Sequence, residues 1–251
     1  MLADAGAVTV SGGTLDVSTY NETIGSLTLS SGGVTGTTGV LTSAGAISVS
    51  NASGTTTIAA ILGGSAALTK TGNGTLVLSK ANTYTGGTTL SAGTLTVSGT
   101  IGDVSQSAGT LSVSGTAGAV TVNGGTLSVS GTTGAVSVAN GAKLLGTGTL
   151  GALSLANGSR VDAGISGLGS LAFGNLSVAA SAQAALYVLN VGNYASTAAF
   201  SGGTATFGSG GTVLFNVSGS AGIGSYNLLS YTGSVDPASF TLSYSGLSSR
   251  S

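Results

Sequence analysis

Apolar and hydroxyl residues alternate along most of this chain, in short runs closed by glycine. In Thr110-Leu111-Ser112-Val113-Ser114 the two apolar residues share one side and the three hydroxyl residues the other. That period of two is the mark of a half-buried β-strand. Three tandem copies, AGTLTVSGT from Ala92, AGTLSVSGT from Ala108 and GGTLSVSGT from Gly124, put leucines at Leu95, Leu111 and Leu127, a step of sixteen. The register continues with a step of seventeen at Leu144 and Val161. A second apolar series runs beside it at Val104, Val120, Val136 and Leu153. Each period therefore holds two strand-like pieces, such as TLSVS and AVTVN, between glycine-rich turns. Repetition at a fixed short period predicts a solenoid whose rungs stack in register. The Leu/Val columns are expected inside, with Leu111 over Leu127, and the Thr/Ser columns outside. Sixteen residues fit a narrow two-strand coil or three very short sides, and spacing leaves both open.

The pattern divides the chain into four stretches. Residues 1–67 carry the same strand chemistry without a strict period, as in VTVSGGTLDVS from Val8, which predicts rungs of unequal length. Residues 68–97 form a dense block of their own. Residues 98–167 hold the regular rungs of sixteen and seventeen. In residues 168–251 the strands lengthen and become bulkier. All five Phe and five of the seven Tyr lie beyond Ala172, and the single proline, Pro237, follows Asp236 in a turn. An aromatic-rich C-terminal cap is expected there, because Phe and Tyr bury far more area than Val.

The block from Leu68 to Val97 reads LTKTGNGTLVLSKANTYTGGTTLSAGTLTV. Its parts are Thr69-Lys70-Thr71-Gly72, Gly74-Thr75-Leu76, Asn82-Thr83-Tyr84-Thr85-Gly86-Gly87-Thr88 and Gly93-Thr94-Leu95. It closely resembles the autotransporter-associated β-strand repeat, also called the passenger-associated transport repeat, of bacterial surface passengers. The stretch Gly-Ser-Tyr-Asn-Leu-Leu-Ser-Tyr-Thr-Gly from Gly224 is similar to the end of such passengers, just before their outer-membrane barrel. The resemblance implies an all-β parallel β-solenoid, in the form of a right-handed β-helix. It implies a structural segment of a type V secreted protein, placed outside the cell, with adhesion or self-association as the roles open to it. Membrane contact would come only through a C-terminal barrel outside this sequence. The repeat itself is thought to assist passage through the outer membrane.

Composition narrows the alternatives. The 251 residues include 46 Gly but 41% apolar residues, with charged residues at 4% and a formal net charge of −1. Mean hydropathy is +0.51. A disordered linker needs the opposite balance, and glycine lacks the three-residue period of collagen. With no Cys and no His, the commonest metal ligands and the commonest general base are missing. No cofactor is expected. Near-zero charge gives no basic stripe for nucleic acid. Met1-Leu2-Ala3-Asp4 has no cationic start leading into an apolar run, so the chain reads as a mature piece of a longer exported protein. The most apolar window, Val178 to Val191, is too short and too polar to span a bilayer as a helix.

Few residues could carry chemistry. The acids are Asp4, Asp16, Glu22, Asp103, Asp162 and Asp236. A β-helix enzyme acting on carbohydrate is the main rival reading, and it needs two carboxylates about 5 to 10 Å apart. Only Asp16 and Glu22 are placed to meet, across a turn. Arg160 and Asp162 are alternate residues and predict a same-face surface pair. Lys70 and Lys80 flank the repeat, and Lys70, within Thr69-Lys70-Thr71-Gly72, reads as a structural solubilising residue. No calcium-binding GGxGxDxUx nonapeptide and no phosphate loop occurs. Asn73, Asn82, Asn123, Asn140 and Asn157 read as turn residues, the last three each preceding Gly at a spacing of seventeen. One surface feature is regular: the outward hydroxyls Thr94, Thr96, Thr110, Ser112, Thr126 and Ser128. They are expected to form a solvated face, a glycan-bearing face, or a flat array that adheres to a second copy, to a host or surface carbohydrate, or to ice.

Overall fold

The computed structural model describes residues 2, 4–164, 169–188, 200–202, 204–209, 212–218, 228–230 and 240–245. Regular structure among them is all strand, paired in parallel, with no helix. The chain divides into two compact units, Met1–Val120 and Thr121–Ser251. Each is a parallel β-solenoid.

In the first unit, one stack holds the strands Ile47–Val49, Leu68–Lys70, Thr88–Leu90 and Val104–Gln106, each paired in parallel with the next. A second holds Thr55–Gly63, Thr75–Leu78, Thr94–Val97 and Thr110–Val113. A third side appears late, where Thr100–Ile101 pairs with Thr116–Ala117. Each sixteen-residue coil is thus three very short sides, which settles the alternative that spacing left open.

Alternation sets what is buried. Leu76, Leu95 and Leu111 lie opposite one another in register and are fully buried. Burying one such side chain contributes roughly 1.5–3 kcal/mol. Between the stacks the chain turns on glycine. Gly93 and Gly109 have φ of +71° and +73°, and a Cβ on Gly109 would collide with the Gly93 carbonyl oxygen. The corner therefore needs glycine both for its backbone conformation and for the closeness of the rung beneath.

The second unit repeats the plan. One stack runs Thr126–Val129, Lys143–Gly146, Arg160–Ala163, Gln183–Val188, Thr212–Ser218 and Phe240–Ser245. A second runs Val136–Val138, Leu153–Leu155, Leu176–Val178 and Ala205–Phe207. Leu127, Leu144 and Val161 form its fully buried column. Leu111 and Leu127 both face inward, as the sequence predicts. The strands do lengthen toward the C-terminus. Phe173 and Phe200 are buried, but the described residues show no aromatic cluster, and Tyr194, Tyr226, Tyr231 and Pro237 lie outside them.

Candidate functional site

The stretch Leu68–Val97 makes two successive rungs, and the segment Asn82–Gly87 connects them. Asn82 is buried, and its side chain works in both directions along the coil. Its Oδ1 accepts the Leu62 amide of the rung before at 3.0 Å. Its Nδ2 donates to the Lys80 carbonyl at 2.9 Å and to the Thr100 carbonyl of the rung after at 3.2 Å. The backbone does the same: Thr83 N donates to Leu62 O, Thr85 N to Gly64 O and Asn82 N to Thr100 O. Asn82 was read as a turn residue; it is also a staple across three rungs.

Tyr84 answers a different problem. The inner column Leu27–Ile47–Leu68–Thr88–Val104 is interrupted by a buried hydroxyl at Thr88. Tyr84 is buried beside it, and the two hydroxyls are 2.6 Å apart. An unpartnered buried hydroxyl would cost about 1–3 kcal/mol. Burial pushes the Tyr84 phenol above its usual pKa, and the Thr88 hydrogen bond opposes that rise.

Lys70 corrects the sequence reading. It is not a solubilising charge: its side chain is fully buried. The strand Leu68–Lys70 alternates inward, outward, inward, so Lys70 falls in the column Leu29–Val49–Lys70–Leu90–Gln106. Its Nζ donates to the Gly72 carbonyl. Burial pushes its ammonium below the ordinary lysine pKa. Neighbouring rungs solve the same corner with neutral amides. Asn51 Nδ2 donates to Gly54 O and Thr75 O, and Gln106 Nε2 to Gly109 O. Inward polar residues here serve the carbonyls of the glycine turns. The signal in the sequence was parity, since Lys70 sits two residues after an inward Leu68.

The outward hydroxyls fall where alternation put them. Thr94, Thr96, Thr110, Ser112, Thr126 and Ser128 are all half-exposed. Thr94 lies opposite Thr110, and Thr96 opposite Ser112. In the second unit the columns change chemistry, to Thr126–Lys143–Arg160 and Ser128–Leu145–Asp162. A longer hydroxyl array lies on the other stack of the first unit and was missed. Thr28, Ser48, Thr69, Thr89 and Ser105 occupy one outward column over five rungs. Two residues on, Ser30, Ser50, Thr71, Ser91 and Ser107 make a second file, exposed except for half-exposed Ser91. Rungs are about 4.8 Å apart, and residues i and i+2 about 6.6 Å, so the hydroxyls form a regular grid. Unequal rung lengths hide it, because its members are spaced by twenty, twenty-one, twenty and sixteen residues.

Asp16, Glu22, Asp103 and Asp162 have structural partners. Asp16 Oδ1 accepts the Ser18 amide at 2.8 Å and the Thr35 hydroxyl at 3.2 Å. Glu22 Oε2 accepts the Leu2 amide, and Asp103 Oδ1 the Ala119 amide. Asp162 pairs with Arg160, Nε to Oδ1 at 2.7 Å and Nη2 to Oδ2 at 3.1 Å. Lys143 joins the pair at 2.8 Å, and Asp162 is buried beneath the two cations. Asn157 Oδ1 accepts the Gln183 amide of the next rung. Gly141 and Gly158, which follow Asn140 and Asn157, both have positive φ, as Asn-Gly turns require. Asp236 lies outside the described residues. Among the described residues no group of three or more acids could hold a metal ion.

No curated protein and no solved structure matched the chain. The family model of the passenger-associated-transport-repeat matches twice, at residues 68–97 and 106–129. The first match coincides with the rungs stapled by Asn82 and Tyr84; the second takes in the regular repeat that contains Leu111 and Leu127. Both stretches of this chain that match the passenger-associated-transport-repeat are built into a parallel β-solenoid.

Proposed function

We propose that the chain is a structural passenger segment of a type V secreted bacterial protein, a right-handed β-helix held outside the cell and closed by an aromatic-rich C-terminal cap. The observation that carries this reading is the use to which the repeat puts its characteristic residues. Asn82, Tyr84, Thr88 and Lys70 all face neighbouring rungs or the interior, so the block joins rungs rather than presenting a ligand site. Such a block suits a chain that crosses a membrane unfolded and stacks its rungs on arrival. Each rung needs a partner beneath it, and nearest-neighbour contacts propagate the fold.

The chain acts as a nearly uncharged stalk, not an enzyme. Asp16, Glu22, Asp103 and Asp162 hold backbone amides, hydroxyls or cations of their own surroundings. Adhesion or self-association falls to the hydroxyl faces, with a second copy as partner ahead of surface carbohydrate. The low net charge leaves little repulsion between copies. The test uses the full-length protein on its producing cell. Shaving intact cells with protease should release fragments that include residues 68–97. Recovery of this segment only from lysed cells would overturn the reading.

A further inference from the structure

Lys70 is the one cation buried in the interior column of the first unit, and no carboxylate faces it. Above and below it in the column are Val49 and Leu90. The strands packed against it, Ile47–Val49, Thr75–Leu78 and Thr88–Leu90, contain no titratable residue, nor does the bend Thr71–Gly74. The connecting segment of its rung contributes two titratable groups. Tyr84 is bonded to Thr88, and Lys80 is half-exposed. Lys70 has one hydrogen-bond acceptor, the Gly72 carbonyl, for an ammonium with three donors. Buried charges are otherwise paired or metal-bound. A neutral amine suits this place far better than an ammonium does.

The segment covering Lys70 is a bend between two rungs, open to water at its edge. Thr71, Gly72, Asn73 and Gly74 form a bend without strand pairing, and Thr71 and Asn73 are exposed. The bend is tied to the rung before by Thr71 N to Val49 O and Gly74 N to Asn51 O, both at 2.9 Å, with the Thr71 hydroxyl also on Val49 O, and to the rung after by Thr94 N to Gly74 O at 3.1 Å. A Cβ on Gly74 would strike the Asn51 amide, so the closed bend fits only with glycine there.

We propose that Lys70 is a protonation-sensitive latch of the transport repeat: the Thr71–Gly74 bend shuts over the neutral amine and opens to admit water when the amine is protonated. Asn51 passes the movement on, because it accepts from Gly74 and donates to the Thr75 carbonyl. Burial lowers the Lys70 pKa from 10.5 in the folded chain, while the unfolded chain keeps the ordinary value. The unfolded state therefore binds more protons in the window between the lowered value and 10.5. Stability rises with pH across that window and falls as pH drops through it. The repeat is thus the point at which an otherwise nearly uncharged coil responds to pH. The inference stands on the geometry of this rung and is independent of where the protein is displayed.

Native-state hydrogen exchange on the whole chain, resolved to the peptide spanning residues 68–79, tests it at neutral and alkaline pH. Rates are corrected for intrinsic exchange. Protection of the bend amides should rise with pH in the wild type, by up to about tenfold per pH unit for one linked proton. Lys70→Met should flatten that dependence while leaving Lys70-free peptides of the second unit unchanged. Lys70→Gln, which keeps a donor for Gly72 as Gln106 does for Gly109, should also be flat, and it serves if the methionine variant does not fold. Direct titration of the Lys70 amine by nitrogen-detected NMR gives a second reading. An ordinary lysine pKa, or a wild-type pH dependence that persists in either variant, would overturn the latch.

Discussion

The two units weight their polar groups differently. The first takes them inside: Asn51, Lys70, Thr88 and Gln106 are buried and spend their hydrogen bonds on turn carbonyls or on Tyr84. Its outer faces carry hydroxyls. In the second unit the column Leu127, Leu144 and Val161 is apolar, Thr133 and Ser159 are buried elsewhere in the coil, with the Thr133 hydroxyl donating to the Gly134 carbonyl, and the ions Lys143, Arg160 and Asp162 lie on the outer sheet face. A parallel solenoid repeats each position at every rung, so one like charge above another is a standing hazard. The second unit places Lys143 opposite Arg160 and sets Asp162 between them. In the first unit the charged strand residues lie opposite uncharged ones: Lys70 opposite Val49 and Leu90, Asp16 opposite Thr35 and Glu22 opposite Leu41. Side-chain bonds between rungs thus come from buried staples such as Asn82 in the first unit, and from the surface ion cluster and the exposed Asn157 and Asn175 amides in the second.

The comparison is broken most directly inside the second unit. Leu127→Asp places an unpaired carboxylate in a dry column, and the loss should exceed about 4 kcal/mol and disrupt several rungs. Thr126→Asp, one residue away but outward and opposite Lys143, should change the melting temperature little. Equal damage from both would mean that the register is wrong by one residue. Next in size is Tyr84→Ala, which empties a buried aromatic site and strands Thr88, at roughly 3–5 kcal/mol by chemical unfolding. Asn82→Ala removes three hydrogen bonds and leaves the Leu62 amide without its side-chain acceptor, costing about 1–3 kcal/mol.

The surface cluster should matter less. Lys143 and Arg160 are 33% and 40% exposed, so water screens them. Asp162→Ala should cost about 1–2 kcal/mol, with a larger loss at low salt, where the two cations repel most. A salt-independent loss larger than that of Asn82→Ala would reverse the ranking of the two strategies. Smallest in stability, but informative for association, is the joint change of Thr94, Thr110 and Thr126 to Lys. Displaying cells should settle more slowly at low salt and recover at high salt. The same triple change at Ser48, Thr69 and Thr89 asks whether the longer hydroxyl grid is the stickier face. Unchanged settling in both would make both faces solvated walls.

Much of this was legible in the sequence, for a physical reason. Period-two alternation and the sixteen-residue step are direct consequences of strand geometry and stacking, so Leu95, Leu111, Leu127, Leu144 and Val161 could be assigned inward from spacing alone. Lys70 was misplaced because charge was weighed above parity: a lysine in a strand reads as solvated unless its neighbours are checked for face. The grid from Thr28 to Ser107 was hidden because unequal rungs destroy its period while the fold restores it. Asn82 was legible as a turn residue but not as a staple, since its partners Leu62 and Thr100 belong to other rungs. The partners of Asp16, Asp103 and Asp162 were unreadable for the same reason, except for Arg160, which shares a strand with Asp162.

The central claim is that the transport repeat serves the cohesion of the coil through its inward residues. It is tested by comparing Asn82→Ala and Tyr84→Ala with Thr69→Ala and Thr89→Ala in the full-length protein on its producing cell, by the amount of folded passenger that resists mild protease at the cell surface. The inward pair of substitutions should lower that amount severalfold, and the outward pair should leave it unchanged. Normal amounts from the inward pair, or a loss confined to the outward pair, would contradict the claim and assign the repeat to contacts outside the coil.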